Sequence, residues 1–175
     1  MTGIDTSAIS GISAFAGIPD AELSELLGIA DEIEIGAGER LFAEDEPADA
    51  FYVILSGGVD LSCRTPRAEA RLLGHSGTGA ALGETSLLVD GLHSASARAT
   101  EPTRLLRFAT TRFKEMLDAS SMPAFRLVLN LARTLAARLR AANDKLAELA
   151  SNPATPAAED DLDRLRKIFF ADWGL

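Results

Sequence analysis

Two periods alternate along this chain. In Ile18-Pro19-Asp20-Ala21-Glu22-Leu23-Ser24-Glu25-Leu26-Leu27 the apolar residues recur at helical spacing behind a proline, which predicts a short amphipathic helix within residues 12–30. At Glu32 the period drops to two. Glu32-Ile33-Glu34-Ile35 alternates, Gly36 and Gly38 mark a turn, and Arg40-Leu41-Phe42 resumes as a strand. Phe51-Tyr52-Val53-Ile54-Leu55 is an unbroken apolar run of the buried-strand kind. Ser56-Gly57-Gly58 then supplies a tight turn, and Val59, Leu61 and Cys63 alternate with Asp60 and Ser62, so a hairpin is expected. Further short strands are predicted near 68–73, 95–100 and 103–108, separated by Gly, Pro, Ser and Thr. The pattern predicts a mainly β fold with flanking helices: a jelly-roll barrel of about eight strands.

After Phe108 the period returns to helical. Thr110 to Leu117 reads as a short helix, and Ala124 to Ala150 runs without Gly or Pro as a long one. Its apolar stripe is at 128, 131, 135, 139, 142, 146 and 149. At 1.5 Å per residue such a helix is about 40 Å long, more than a small barrel covers. A second copy of the chain is the simplest cover, which predicts a homodimer through Leu131, Leu135, Leu139, Ala142 and Leu146. Residues 1–150 are thus one domain ending in a dimerisation helix. Composition marks 151–158 as a linker, and 159–175 as an amphipathic C-terminal helix whose Leu162, Leu165, Ile168, Phe169 and Trp173 need a docking surface.

Composition narrows the classes. With 175 residues and 47% hydrophobic content, the chain suits one packed domain plus an extra element. No apolar run approaches the roughly 18 residues of a membrane span, and the N-terminus lacks the regions of a signal peptide. Its one cysteine, Cys63, has no internal disulfide partner, so a reducing cytoplasm is the expected compartment. A net charge of -9 argues against a nucleic-acid partner. Residues 20–49 hold eleven carboxylates against Arg40 alone, which reads as a solvated acidic face.

The stretch with the most chemistry is Gly83-Glu84-Thr85-Ser86-Leu87-Leu88-Val89-Asp90-Gly91-Leu92-His93-Ser94-Ala95-Ser96-Ala97-Arg98-Ala99. It resembles the phosphate-binding cassette of the cyclic-nucleotide-binding domain family. Two further stretches resemble that family in order: the glycine turn and strand from Ala37 to Asp49, with Asp45 where a glycine is frequent, and the hairpin from Phe51 to Val59. The resemblance covers roughly residues 12–150 and implies a sensor domain of the catabolite activator type. The 25 residues after Ala150 are fewer than the roughly 50 of an independent domain, so a stand-alone sensor acting through an unidentified effector protein is expected.

The resemblance implies cAMP or cGMP as ligand, with no metal. Gly83, Glu84 and Thr85 would approach the sugar, Glu84 accepting from a ribose hydroxyl, while Ser94 and Ala95 would face the phosphate. Arg98 is a candidate to orient Glu84 or simply to pair with it. Where the family usually has arginine, this chain has His93. Losing a charge-assisted contact of about 1.5–3 kcal/mol weakens binding ten- to a hundredfold, unless the imidazolium takes the arginine's place. Asn143 is placed either to read a purine edge or as an exposed polar helix residue. A scaffold with a decayed, ligand-blind pocket is the first alternative. Cys63 with His75 raises a haem or redox reading, for which no third ligand stands at usable spacing. No nucleophile elbow, zinc-protease helix or phosphate loop is present, so no enzymatic activity is expected.

Overall fold

The computed structural model describes residues 6–64, 70–85 and 91–150. A one-turn helix α1 (Thr6–Ile9) and a 3-10 turn (Ser13–Phe15) precede α2 (Asp20–Leu27). Eight strands follow among the described residues: β1 (Ala30–Ile35), β2 (Arg40–Phe42), β3 (Ala50–Ser56), β4 (Gly58–Arg64), β5 (Ala70–Gly77), β6 (Ala81–Leu82), β7 (Ser96–Ala99) and β8 (Thr103–Ala109). Two helices close the order, α3 (Thr110–Asp118) and α4 (Met122–Ala150).

The strands make two antiparallel four-stranded sheets, β1-β8-β3-β6 and β2-β7-β4-β5, in the jelly-roll arrangement that the pattern predicts. The first sheet is covered on both faces. Phe51 and Val53 of β3, with Leu106 and Phe108 of β8, join Phe15, Leu23, Leu26, Phe113 and Leu127 in one core. Tyr52 and Ile54, with Leu105, turn the other way and join Phe42, Val59, Leu82, Ala97 and Ala99 in a second. An apolar run rather than an alternation is what a strand buried on both faces requires. Phe51 stacks on Phe108 at 4.8 Å and meets Phe113 edge-on at 5.2 Å. Such aromatic pairs add about 0.5–1.5 kcal/mol each beyond their burial.

Three elements differ from the periodic reading. β6 is two residues long and carries no period of its own; its pairing with Tyr52 and Val53 of β3 creates it. β5 runs to Gly77 rather than 73, because its ladder with β4 continues past Gly74 after a bulge at Leu61/Ser62. The expected dimer stripe also divides. Leu131 is 1% exposed in the first core, with Val128 packed against it, so this face of α4 covers the protein's own helical layer and is not available to a second copy. Asn130 lies on the same side, its Nδ2 donating to the carbonyls of Ala14 (3.0 Å) and Ala16 (2.9 Å) and tying the 3-10 turn to α4.

The chain forms two compact units, Met1–Leu131 and Ala132–Leu175. The linker at 151–158 and the tail with Phe169 and Trp173 lie outside the described residues. No helix among the described residues is long and apolar enough to cross a membrane.

The β3–β4 turn has a constraint that can be tested. Gly57 has φ +91°, and a β-carbon there would meet Thr103 Oγ1 at 2.5 Å and the Pro102 carbonyl at 2.6 Å. Thr103 is fully buried, and its hydroxyl oxygen accepts from the Gly58 N–H (3.2 Å). Gly57→Ala is therefore expected to cost at least about 1–3 kcal/mol. Urea unfolding checks this: the midpoint should fall, and an unchanged midpoint contradicts the reading.

Candidate functional site

The cassette begins where β6 ends. Gly83 takes φ +71°, a conformation costly to any residue with a β-carbon, and turns the chain directly out of the sheet. Glu84, the next residue, is 5% exposed, and Thr85 is exposed. Ser86 to Asp90 lie outside the described residues. The chain returns at Gly91 and is held there by the loop that follows β2. Ala48 N–H donates to the Gly91 carbonyl (3.2 Å), Asp45 N–H to the His93 carbonyl (2.9 Å) and His93 N–H to the Glu46 carbonyl (2.9 Å). Pro47 and Leu92 form an isolated bridge between these bonds.

That loop needs one residue in the left-handed region, and Asp45 supplies it with φ +66°. Asp tolerates this region better than most residues, which explains how the chain keeps a turn where the family frequently has glycine. The Asp45 carboxylate pairs with Arg64. Glu46 accepts from the Ala43 N–H (2.8 Å) and meets Arg40 at 3.3 Å, and Ser96 accepts from the Glu44 N–H (3.0 Å). Sequence reasoning missed this loop as part of the site. The glycine-to-aspartate departure at 45 was the available signal.

His93 points inward. It is 5% exposed, and its ring lies on Phe42 with centroids 3.8 Å apart and planes 9° from parallel. Tyr52 continues the stack on Phe42 at 5.9 Å. The imidazole also reaches Gly83, where a β-carbon would come within 3.3 Å of Cε1. Burial holds the His93 pKa below its usual value, opposed by the negative charges of Asp49 and Glu46. A neutral ring at neutral pH is the consequence, against the imidazolium expected from the arginine's position. Burial likewise pushes the Tyr52 phenol up, with a hydrogen bond to Arg107 working against it.

The structure brings Gly83 against His93, buries Glu84 as the residue after Gly83, and leaves Ser94 exposed and Ala95 half-buried. Arg98 lies elsewhere. Ala97 and Ala99 are buried, so Arg98 between them projects from the opposite face of β7, where its guanidinium donates to the Gly38 carbonyl. Asn143 is exposed, in the compact unit that starts at Ala132. Cys63 and His75 sit on neighbouring strands, but His75 Nδ1 meets Asp60 Oδ1 at 3.0 Å while Cys63 is paired in register with Arg71. Among the described residues, no three His, Cys, Asp or Glu side chains are grouped to hold a metal ion.

Comparison with known proteins identifies the family and the fold. The sequence profile of the cyclic nucleotide-binding domain matches residues 32–120. A CRP-like cAMP-activated global transcriptional regulator of Mycobacterium tuberculosis is 30% identical over 135 residues, covering 77% of this chain and 58% of the regulator. The chain thus spans less than two thirds of that relative's length. The crystal structure of the Thermus thermophilus catabolite activator protein superposes with a TM-score of 0.69 at 30% identity, over 79% of this chain and 63% of that one. A cyclic nucleotide-binding domain from Methylobacillus flagellatus shares the fold with a TM-score of 0.74 at 23% identity, over 86% of each chain.

The buried histidine has a stability consequence. Its folded pKa lies below the unfolded value of about 6.5, so the unfolded chain binds more protons between the two. Stability from this group is complete above about pH 6.5 and falls as pH drops toward the folded pKa. Melting temperatures at pH 7.5 and pH 5.5 test it. His93→Phe keeps a ring on Phe42 without the proton, and should lose less between the two values than the wild type. Equal losses contradict the buried neutral imidazole.

Proposed function

The chain belongs to the cyclic nucleotide-binding domain family, and we propose that it serves as a regulatory module that binds cAMP or cGMP and passes the signal to a partner protein. One observation carries this reading: the positive-φ turn at Gly83 packs against His93, so the two stretches that the family resemblance assigns to the sugar and to the cyclic phosphate are neighbours. Thr85 and Ser94 are exposed and Ala95 is half-buried, and hydrogen bonds to the 45–48 segment fix the backbone of the 91–93 segment before any ligand arrives, so little order is lost on binding. Arg98 contributes indirectly, by fixing the turn at Gly38.

A second reading, the same fold with a permanently closed pocket, is favoured by the His93 ring inside the cassette and by the nearby charges of Glu46 and Asp49, which repel an anion. Calorimetry with cAMP and cGMP separates the two. A saturable heat is expected of the wild type. His93→Arg should bind on the order of ten- to a hundredfold more tightly through a charge-assisted contact. No heat from either protein selects the closed scaffold.

A homodimer is also proposed, through a seam shifted from the stripe that the sequence suggests. Positions 122, 125, 129, 132, 136 and 139 hold Met, Phe, Leu, Ala, Ala and Leu, in steps of three and four that sustain a heptad stripe. Met122, Phe125, Leu129 and Leu139 are exposed by 57, 48, 50 and 43%, in contrast to buried Leu131. Asn143 continues the same spacing, where a polar residue sets register. Sedimentation should give a dimer mass for the wild type and a monomer mass for Leu139→Glu, since a charge in the seam would be buried without a partner. An unchanged dimer mass places the contact elsewhere.

A further inference from the structure

Strand β5 is the outermost strand of the β2-β7-β4-β5 sheet. Edge strands invite pairing with other chains, and the remaining edges are guarded: β2 and β6 are only three and two residues long, and β1 carries Asp31, Glu32 and Glu34. β5 runs for eight residues, Ala70–Gly77, without a carboxylate. Its ladder with β4 steps from Leu61 opposite Gly74 to Ser62 opposite Leu72, so Leu73 is an extra residue in a bulge. A bulge re-aims side chains, and here Leu72 and Leu73 are 61% and 58% exposed, the most exposed large apolar side chains among the described residues. Arg71 beside them is exposed. Among the described residues of the unit Met1–Leu131, every other arginine meets a carboxylate or, for Arg98, a carbonyl. Arg71 has no such partner there.

We propose that the edge of β5 is a docking site for an extended acidic segment of another protein, which adds a strand to β5, lays an apolar side chain on Leu72 and Leu73 and sets a carboxylate against Arg71. Main-chain bonds to an edge strand give affinity, and side-chain contacts choose the partner. Charge decides what kind of strand fits. A second copy paired edge to edge brings another Arg71 and His75 and no carboxylate, whereas an acidic segment completes the arginine that the fold leaves unpaired. Leu72 and Leu73 are also separate from the apolar positions of the α4 seam, so docking and the proposed dimer use different side chains. The docking site rests on the partner-protein half of the reading above and not on its nucleotide half.

The probe is a capped, fluorescently labelled peptide that alternates valine with aspartate, titrated with the full chain and followed by anisotropy, with a valine–lysine peptide as its counterpart. The acidic peptide should saturate and the lysine peptide should not. Arg71→Gln should weaken the acidic peptide by up to about fivefold, the range of an exposed ion pair, and the pair Leu72→Ser and Leu73→Ser by at least about tenfold. These substitutions change exposed side chains, so the loss should come with an unchanged melting temperature. Amide hydrogen exchange along β5 should slow when the acidic peptide is bound, the mark of an added strand. Equal binding of the two peptides, failure to saturate at the solubility limit, unchanged exchange along β5 or unchanged binding by the double variant overturns the proposal. So does a lower sedimentation mass for the double variant than for the wild type, which makes the edge a contact between copies. Calorimetry with cAMP tests the nucleotide reading separately: an acidic peptide that binds while cAMP does not supports this surface and fails that reading.

Discussion

Burial of the β1-β8-β3-β6 sheet on both faces is the constraint on which the other parts depend. One face holds Phe51, Leu106 and Phe108 against the helices, and the other holds Tyr52, Ile54 and Leu105 against the second sheet. Neither face can slip by one residue without exchanging its aromatic side chains for those of the other. The register of β3 with β8 and β6 is fixed in this way, and so is the point at which the chain leaves β6 for the cassette. Gly83 is thus delivered to its place by a core far larger than the site.

Electrostatics and packing pull the site in different directions. An anionic ligand is served by donors and positive charge, and this cassette offers a buried carboxylate, an exposed serine and a histidine kept neutral by burial. The loop that pins it is acidic at Glu44, Asp45, Glu46 and Asp49, although Arg40, Arg64 and Arg107 each pair with one or more of these carboxylates. Pairing removes much of the repulsion at short range and leaves the geometry in control.

Much of the fold was legible because two periods alternate cleanly. The Glu32–Ile35 alternation, the Phe51–Leu55 run and the long segment without Gly or Pro all became elements close to their expected places. β6 was not legible, since two residues cannot display a period. The division of the α4 stripe was hidden for another reason: Leu131 and Leu139 are equivalent as letters, and only the helical layer beneath decides which is core. The cassette could be read from its glycine and glutamate. Where residue 93 points could not, because both a solvent-facing cation and an inward ring fit the same sequence position, and Phe42 lies 51 residues away. Asp45 was visible as a departure, and its backbone conformation gives the departure its meaning.

A crystal of the full chain grown with saturating cAMP addresses the ligand reading directly. The expected result is nucleotide density at the cassette, against Gly83 and the 91–95 segment, with both backbone bonds of residue 93 to the 45–46 segment intact. A cassette without nucleotide density at saturating cAMP contradicts the account.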